Sequence, residues 1–466
     1  MCVCKARTKP YFLIFEIFRD LRVPATEPFL TTAEIERVFS AGTRVQRMLD
    51  FEAALVIAQC AAGVVPASAR DTIVAACRAD RFDASAILIE VRTAGNGAIP
   101  LVCELIEQVR SNSPAAADWV HWGATSQDML DTTMVLQLRE ACDLVSAQLR
   151  AAESAIAKLA NTHLRTPMVA RTLLQHATAT TLGYKLAVWG SGIERARASL
   201  QQLHDDAFAL QLGGASGTLS AMGEQAFPIR RAVAAHFGLN QPVITWHTQR
   251  DRFLSIATGL AMSITACAKF ASDLVLMMQS EVGEVIESAT NAGGSSAMPN
   301  KRNPVATLVP IAAAANSGGL LAALFNASVH EHERAAGAWH GEWFALPQLA
   351  ALAHASATAT AEVAAGTVFN PARMRENLDG GGGLIAAEAL TIALAKRSGK
   401  VAARKAVDSL CAEVRKLGGT LAGRVAGTAE ISRQLSPQEI AAVFNHDAAI
   451  DSAAQAAQLW LNQRVE

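Results

Sequence analysis

The chain predicts an all-α protein: a central bundle of long helices flanked by smaller N- and C-terminal helical domains. Three observations lead there. Hydrophobic residues make up 51% of the 466 positions but aromatics only 5%, so the apolar content is largely alanine, leucine and valine, a balance that favours helices. Leu130, Met134, Leu138, Ala141, Val145, Leu149, Ala152, Ile156 and Leu159 recur at steps of three or four, the period of one helical face. No strand-like alternation runs beyond a few residues.

In chain order, residues 1–22 come first. Lys5, Arg7 and Lys9 precede an apolar stretch, but Glu16 interrupts it and no small-residue cleavage site follows. We read this as an extension ahead of the folded body and a candidate for disorder. Thr31-x-x-Glu34 is a capping box, placing a helix from near Ala33 to about Ala62, where Gly63 and Pro66 stop it. Shorter helices follow through 68–111, broken around Gly95, Gly97 and Pro100. Residues 23–118 thus form an N-terminal helical domain. The central bundle, 119–370, holds the striped helix, long segments at about 172–204 and 251–287, the segment after Pro304 and another near 345–366. In the C-terminal domain, 371–466, the pattern shortens. A four-glycine loop spans 380–383, Gly399 and the 418–419 glycine pair end two helices, and Ser436-x-x-Glu439 is a second capping box.

Lysine and arginine total 41 against 42 acidic residues, a net charge of −1, which offers no field for nucleic acid or an anionic membrane. The longest uncharged run, 304–329, could span a bilayer. Pro310, Asn316, Ser317, Gly318, Gly319 and Asn326 interrupt it, and core helices are the better reading. The eight cysteines form no Cys-x-x-Cys pair and sit mostly in apolar helical patterns, as free thiols do in the cytoplasm.

Residues 293–304, Gly-Gly-Ser-Ser-Ala-Met-Pro-Asn-Lys-Arg-Asn-Pro, fit chemistry better than packing. Two glycines free the backbone, Ser295 and Ser296 bring hydroxyls, and Lys301 brings a mobile cation. Asn303 and Pro304 read as N-cap and first helical position, where the helix tip welcomes an anion. By residue type alone, a Gly/Ser linker before an ordinary helix fits as well. However, 294–304 resembles the signature of the fumarase/aspartase superfamily, Gly-Ser-Ser-x-Met-Pro-x-Lys-x-Asn-Pro, at every fixed position. The resemblance implies that Ser295 moves a proton next to a carboxylate and that Lys301 steadies the resulting aci-carboxylate. It also implies that Ser296, Met298 and Asn303 help hold the substrate.

Further motifs extend it. Residues 121–128, His-Trp-Gly-Ala-Thr-Ser-Gln-Asp, read physically as a loop entering a capped helix, with groups able to bind a carboxylate. The stretch resembles the superfamily's first shared region, making His121 a candidate acid/base group and Thr125 and Ser126 carboxylate ligands. Residues 171–176 resemble the second, where Thr172 and Gln175 would contact substrate. Many relatives carry a histidine directly after that threonine; here it is Leu173, leaving His176 as a candidate acid beside the plainer reading of a helix histidine. Residues 213–218, Gly-Gly-Ala-Ser-Gly-Thr, lack dinucleotide-fingerprint spacing and read as a tight turn whose amides face the site.

His330-Glu-His-Glu-Arg334 lacks metal-motif spacing. It resembles a substrate-binding element of adenylosuccinate lyases, with Arg334 a candidate carboxylate clamp. In those lyases another arginine follows a glutamate in the stretch serving the nucleotide; here that stretch reads Gly341-Glu342-Trp343. The run 330–343 instead resembles bacterial 3-carboxy-cis,cis-muconate cycloisomerases. The resemblance covers roughly 30–460. It implies a small polycarboxylate substrate, no metal or organic cofactor, and a homotetramer in which each site draws on three subunits. A fumarate-releasing lyase such as adenylosuccinate lyase, or a non-catalytic structural relative, are the alternatives.

Overall fold

The computed structural model describes residues 27–286, 293–294, 297–298 and 301–464. The expected N-terminal extension, Ser295 and Ser296 lie outside the described residues. The chain forms two compact units: Met1–Gln148, Ala196–Ala268 and Val309–Thr358 make unit 1, and Leu149–Arg195, Lys269–Leu308 and Ala359–Glu466 make unit 2. The described residues are mostly helical, and the boundaries between units fall inside all five long helices.

The first helical stretch is two helices, α1 (Ala33–Val38) and α2 (Ala41–Ala61). Its cap is Thr32 rather than Thr31: the Thr32 hydroxyl accepts from the Ile35 amide and lies 2.8 Å from His354 Nδ1. The run expected to reach Ala62 breaks because Ser40 starts a new helix by accepting from the Thr43 amide. Along α2, Val45, Met48, Leu49, Phe51, Leu55 and Val56 are buried. Each such side chain contributes about 1.5–3 kcal/mol of burial. The same helix buries Glu52 and Gln59, two turns apart on one face. The expected breaks at Gly95 and Gly97 are found, and α3 (Ala98–Asn112) starts directly after them; Pro100, expected as a third break, instead fits its first turn.

α4 (Ser126–Thr162) is the striped helix, 37 residues long. The segment expected to be helical from about 172 opens instead as an antiparallel hairpin, β1 (Pro167–Thr172) and β2 (Gln175–Thr181), before α5 (Leu182–Asp206). Residues 177–181, Ala-Thr-Ala-Thr-Thr, alternate β-branched with small side chains, which favours a strand. α6 (Asp251–Met278) ends short of the expected 287 at a turn containing Gly283, whose φ is +62°. Short strands β3 (Val285–Ile286), β4 (Gly293–Gly294) and β5 (Arg302–Asn303) follow, with β4 and β5 paired. At Gly293 a Cβ would clash with Val305 Cγ2, so only glycine fits.

α7 (Val305–Ala327) and α8 (Ala338–Gly366) complete the five long helices. By length and composition, α6 and α7 are apolar enough to cross a membrane. In unit 2, α9 (Ala387–Ser398), α10 (Lys400–Leu417) and α11 (Pro437–Phe444) enclose a core of Leu390, Leu394, Val407, Leu410 and Val414. The expected capping box opens α11: Ser436 accepts from the Glu439 amide and Glu439 accepts from the Ser436 amide.

Unit 1 also contains a buried charge cluster. The Arg250 guanidinium donates to both oxygens of Asp131, at 2.8 and 3.0 Å, and to both of Glu342, at 2.9 and 2.6 Å. Trp339 Nε1 and Gln127 Nε2 also donate to Asp131. All three ionic side chains are at most 3% exposed. Burial would raise the Asp131 carboxyl, but Arg250 outweighs it and holds it below the usual carboxylate range.

Candidate active site

In unit 1 the motif around His121 is anchored from below. His121 sits at φ +57°, a left-handed conformation rare outside glycine. Glu52, 1% exposed, holds it at two points: the His121 amide donates to Oε2 at 3.0 Å, and His121 Nδ1 lies 2.6 Å from Oε1. Gln59 donates to the Trp122 carbonyl at 2.7 Å, so both buried polar groups of α2 grip this loop. Burial opposes charge on His121, yet the Glu52 carboxylate prevails and holds the imidazole above the ordinary histidine range.

Thr125 caps α4, and its amide donates to Asp128 at 3.0 Å, half of a capping box. Asp128 has a larger task than the helix-dipole role its place in the first turn suggests. Fully buried, it also accepts from the Gly213 and Gly214 amides, at 2.8 and 2.9 Å, and lies 2.7 Å from His247 Nε2. The glycine turn therefore gives those two amides to Asp128 rather than to the site, which corrects the sequence reading. Glycine is required at 213 because a Cβ would meet Thr245 Oγ1 at 2.5 Å and His247 at 2.8 Å. Arg334 donates to the Ala215 carbonyl in the same turn at 2.9 Å. His121, Thr125, Ser126 and Arg334 thus share one assembly organised by Glu52 and Asp128.

Unit 2 carries the remaining described candidates on two exposed segments. Thr172 and Gln175 face each other across the hairpin end, and His176 pairs with Arg171, so none of them is helical. Leu173 and Leu174 form the turn at φ +49° and +64°, and are 97% and 72% exposed. That conformation normally selects Asn-Gly, and such strain concentrates at functional sites. Arg171 anchors the hairpin by a bidentate pair with buried Glu284, at 3.0 and 2.7 Å. Desolvation, then the Arg171 charge, push His176 below the ordinary histidine range. Met298 and Lys301 are exposed, and Asn303 lies in β5 opposite Gly293. The Pro304 carbonyl accepts from the Leu308 amide, so Pro304 itself caps α7, one position later than Asn303.

Sequence reasoning missed Glu52, Gln59, His247 and Glu284. For the first two a signal existed: a carboxylate and an amide seven residues apart on an otherwise apolar helix face. Glu284 and His247 find their partners through the fold, and local spacing carries no trace of them.

Set beside known proteins, the chain belongs to the fumarase/aspartase superfamily: a family model described as Lyase matches residues 30–316. It is 44% identical over 422 residues to the 3-carboxy-cis,cis-muconate cycloisomerase of Pseudomonas aeruginosa, covering 90% of this chain and 92% of that protein. The fold matches the crystal structure of the 3-carboxy-cis,cis-muconate lactonizing enzyme from Pseudomonas putida with a TM-score of 0.87 and 41% identity, covering 94% of this chain and 98% of that one. A nitrosuccinate lyase from Streptomyces davaonensis is 36% identical, covering 89% of each chain. The fold class expected from the sequence, all-α and fumarase/aspartase-like, is the one found.

Proposed function

We propose that the protein is a 3-carboxy-cis,cis-muconate cycloisomerase of protocatechuate (β-ketoadipate) catabolism, a cytoplasmic homotetramer with shared sites and no metal or organic cofactor. In the lactone-forming direction a substrate carboxylate adds across a carbon–carbon double bond. The electron pair moves to the carbon beside the neighbouring carboxylate, is held as the aci form, and takes a proton from Ser295; the reverse reaction returns it. Stabilising the extra negative charge is the main task, and Lys301, Asn303 and the start of α7 suit it. A serine hydroxyl is a weak base unaided, so Lys301 must also stabilise its alkoxide. His121, Thr125, Ser126 and Arg334 hold the carboxylates, with Thr172, Gln175 and His176 arriving on the hairpin.

The observation that carries this reading over adenylosuccinate cleavage is at Glu342. Its carboxylate is buried against Arg250, and Trp343 follows where a nucleotide phosphate would need a cation. The shared-site arrangement is supported by α7: without a charged residue, it is only 28% buried over its most apolar window and exposes Phe325 and Leu308. A second copy of the chain would cover that surface and bring the exposed hairpin to a neighbour.

Loss of 3-carboxymuconate absorbance, run with and without EDTA beside fumarate release from adenylosuccinate, tests the reading. The expected outcome is EDTA-insensitive consumption of the muconate and no fumarate. Fumarate release without muconate turnover would favour a different lyase on the same scaffold.

A further inference from the structure

Glu52 lies on the buried face of α2, where a lone carboxylate is expensive to hold. It keeps its place by giving one oxygen to the His121 amide and the other to Nδ1 of the same residue. A carboxylate only accepts, so Nδ1 carries a hydrogen and Nε2 is the nitrogen left for a ligand. The amide bond fixes the left-handed backbone at His121, and Gln59 fixes the next peptide. The loop is therefore held at three points by one helix, one of them on the ring itself, and the His121 side chain keeps 16% exposure. The other charged group acting on it is Asp128, which is already engaged by His247 and three backbone amides.

We propose that Glu52 is a positioning residue that keeps His121 an imidazolium with Nε2–H turned to a substrate carboxylate. This rests on the polycarboxylate reading above and deepens it. A substrate with three carboxylates needs several cations, and Lys301 and Arg334 alone leave one unmatched. A neutral imidazole in the same place would offer a lone pair and repel the anion. A purely structural Glu52 would secure the loop without controlling the ring's charge.

The pH dependence of kcat/KM for 3-carboxymuconate, in the full-length parent and Glu52→Gln, separates these roles. Glutamine keeps an acceptor but removes the charge. The alkaline limb should move down by about one pH unit, a tenfold loss of proton affinity. At pH 8 KM should rise about tenfold while kcat changes less than about threefold. An unmoved limb overturns the proposal, as does a loss confined to kcat. Should Glu52→Gln fail to fold, a titration of histidine 13Cε1 resonances in the parent decides, with His121→Asn for assignment. His121 must remain protonated above about pH 6.5, the ordinary midpoint, and titration at or below it sinks the idea. A chain inert toward carboxymuconate would defeat the functional reading, while the titration would still decide the Glu52–His121 pairing.

Discussion

Replacing Ser295 by alanine is expected to lower kcat for 3-carboxymuconate about 10²- to 10⁴-fold, the usual worth of a positioned proton donor. KM should change little, because in the proposed site Lys301, Arg334 and the Thr125–Ser126 pair would still hold the carboxylates. Steady-state kinetics on a variant with parental circular dichroism checks this. A variant as fast as its parent would support a fold kept after the chemistry was lost, or another donor.

The second large effect is on stability. Arg250→Met removes the guanidinium shared by two buried carboxylates, leaving Asp131 and Glu342 without their bidentate partner. Breaking such a pair from one side destabilises by about 3–5 kcal/mol, which should appear as a clear fall in the urea midpoint. Lysine at 250 should rescue little, since an ammonium cannot offer two carboxylates a bidentate fork. The pH dependence has a definite sign. Asp131 has its carboxyl depressed in the folded state. Its share of stability is therefore present above the unfolded value, about 3.9, and disappears as pH falls through the lower folded value. An unchanged urea midpoint in Arg250→Met would show that the cluster adds nothing.

The helices were the most legible part of the chain. The stripe from Leu130 to Leu159 needs only its period to be recognised, and it lies within α4. The hairpin was hidden because its turn is Leu-Leu, where the usual glycine or asparagine cue is missing, and because alanine and threonine also fit a helix. The caps at Thr32 and Pro304 each fell one residue from the sequence reading, since adjacent residues could serve and the tertiary partner chose. For the site, the family resemblance pointed to His121 and Arg334 as candidates, but not to what holds them. The glycine turn read as one whose amides face the site, and only the buried Asp128 shows where two of them go. Charge burial of this kind depends on which helices meet, and a single sequence does not carry that.

The most direct measurement is a proton NMR spectrum of the product formed from 3-carboxy-cis,cis-muconate in D₂O. The expected product is 4-carboxymuconolactone with one deuterium on the carbon beside the carboxylate that passed through the aci form, and no fumarate. Unchanged muconate, with fumarate released from a succinyl adduct under the same conditions, would contradict it.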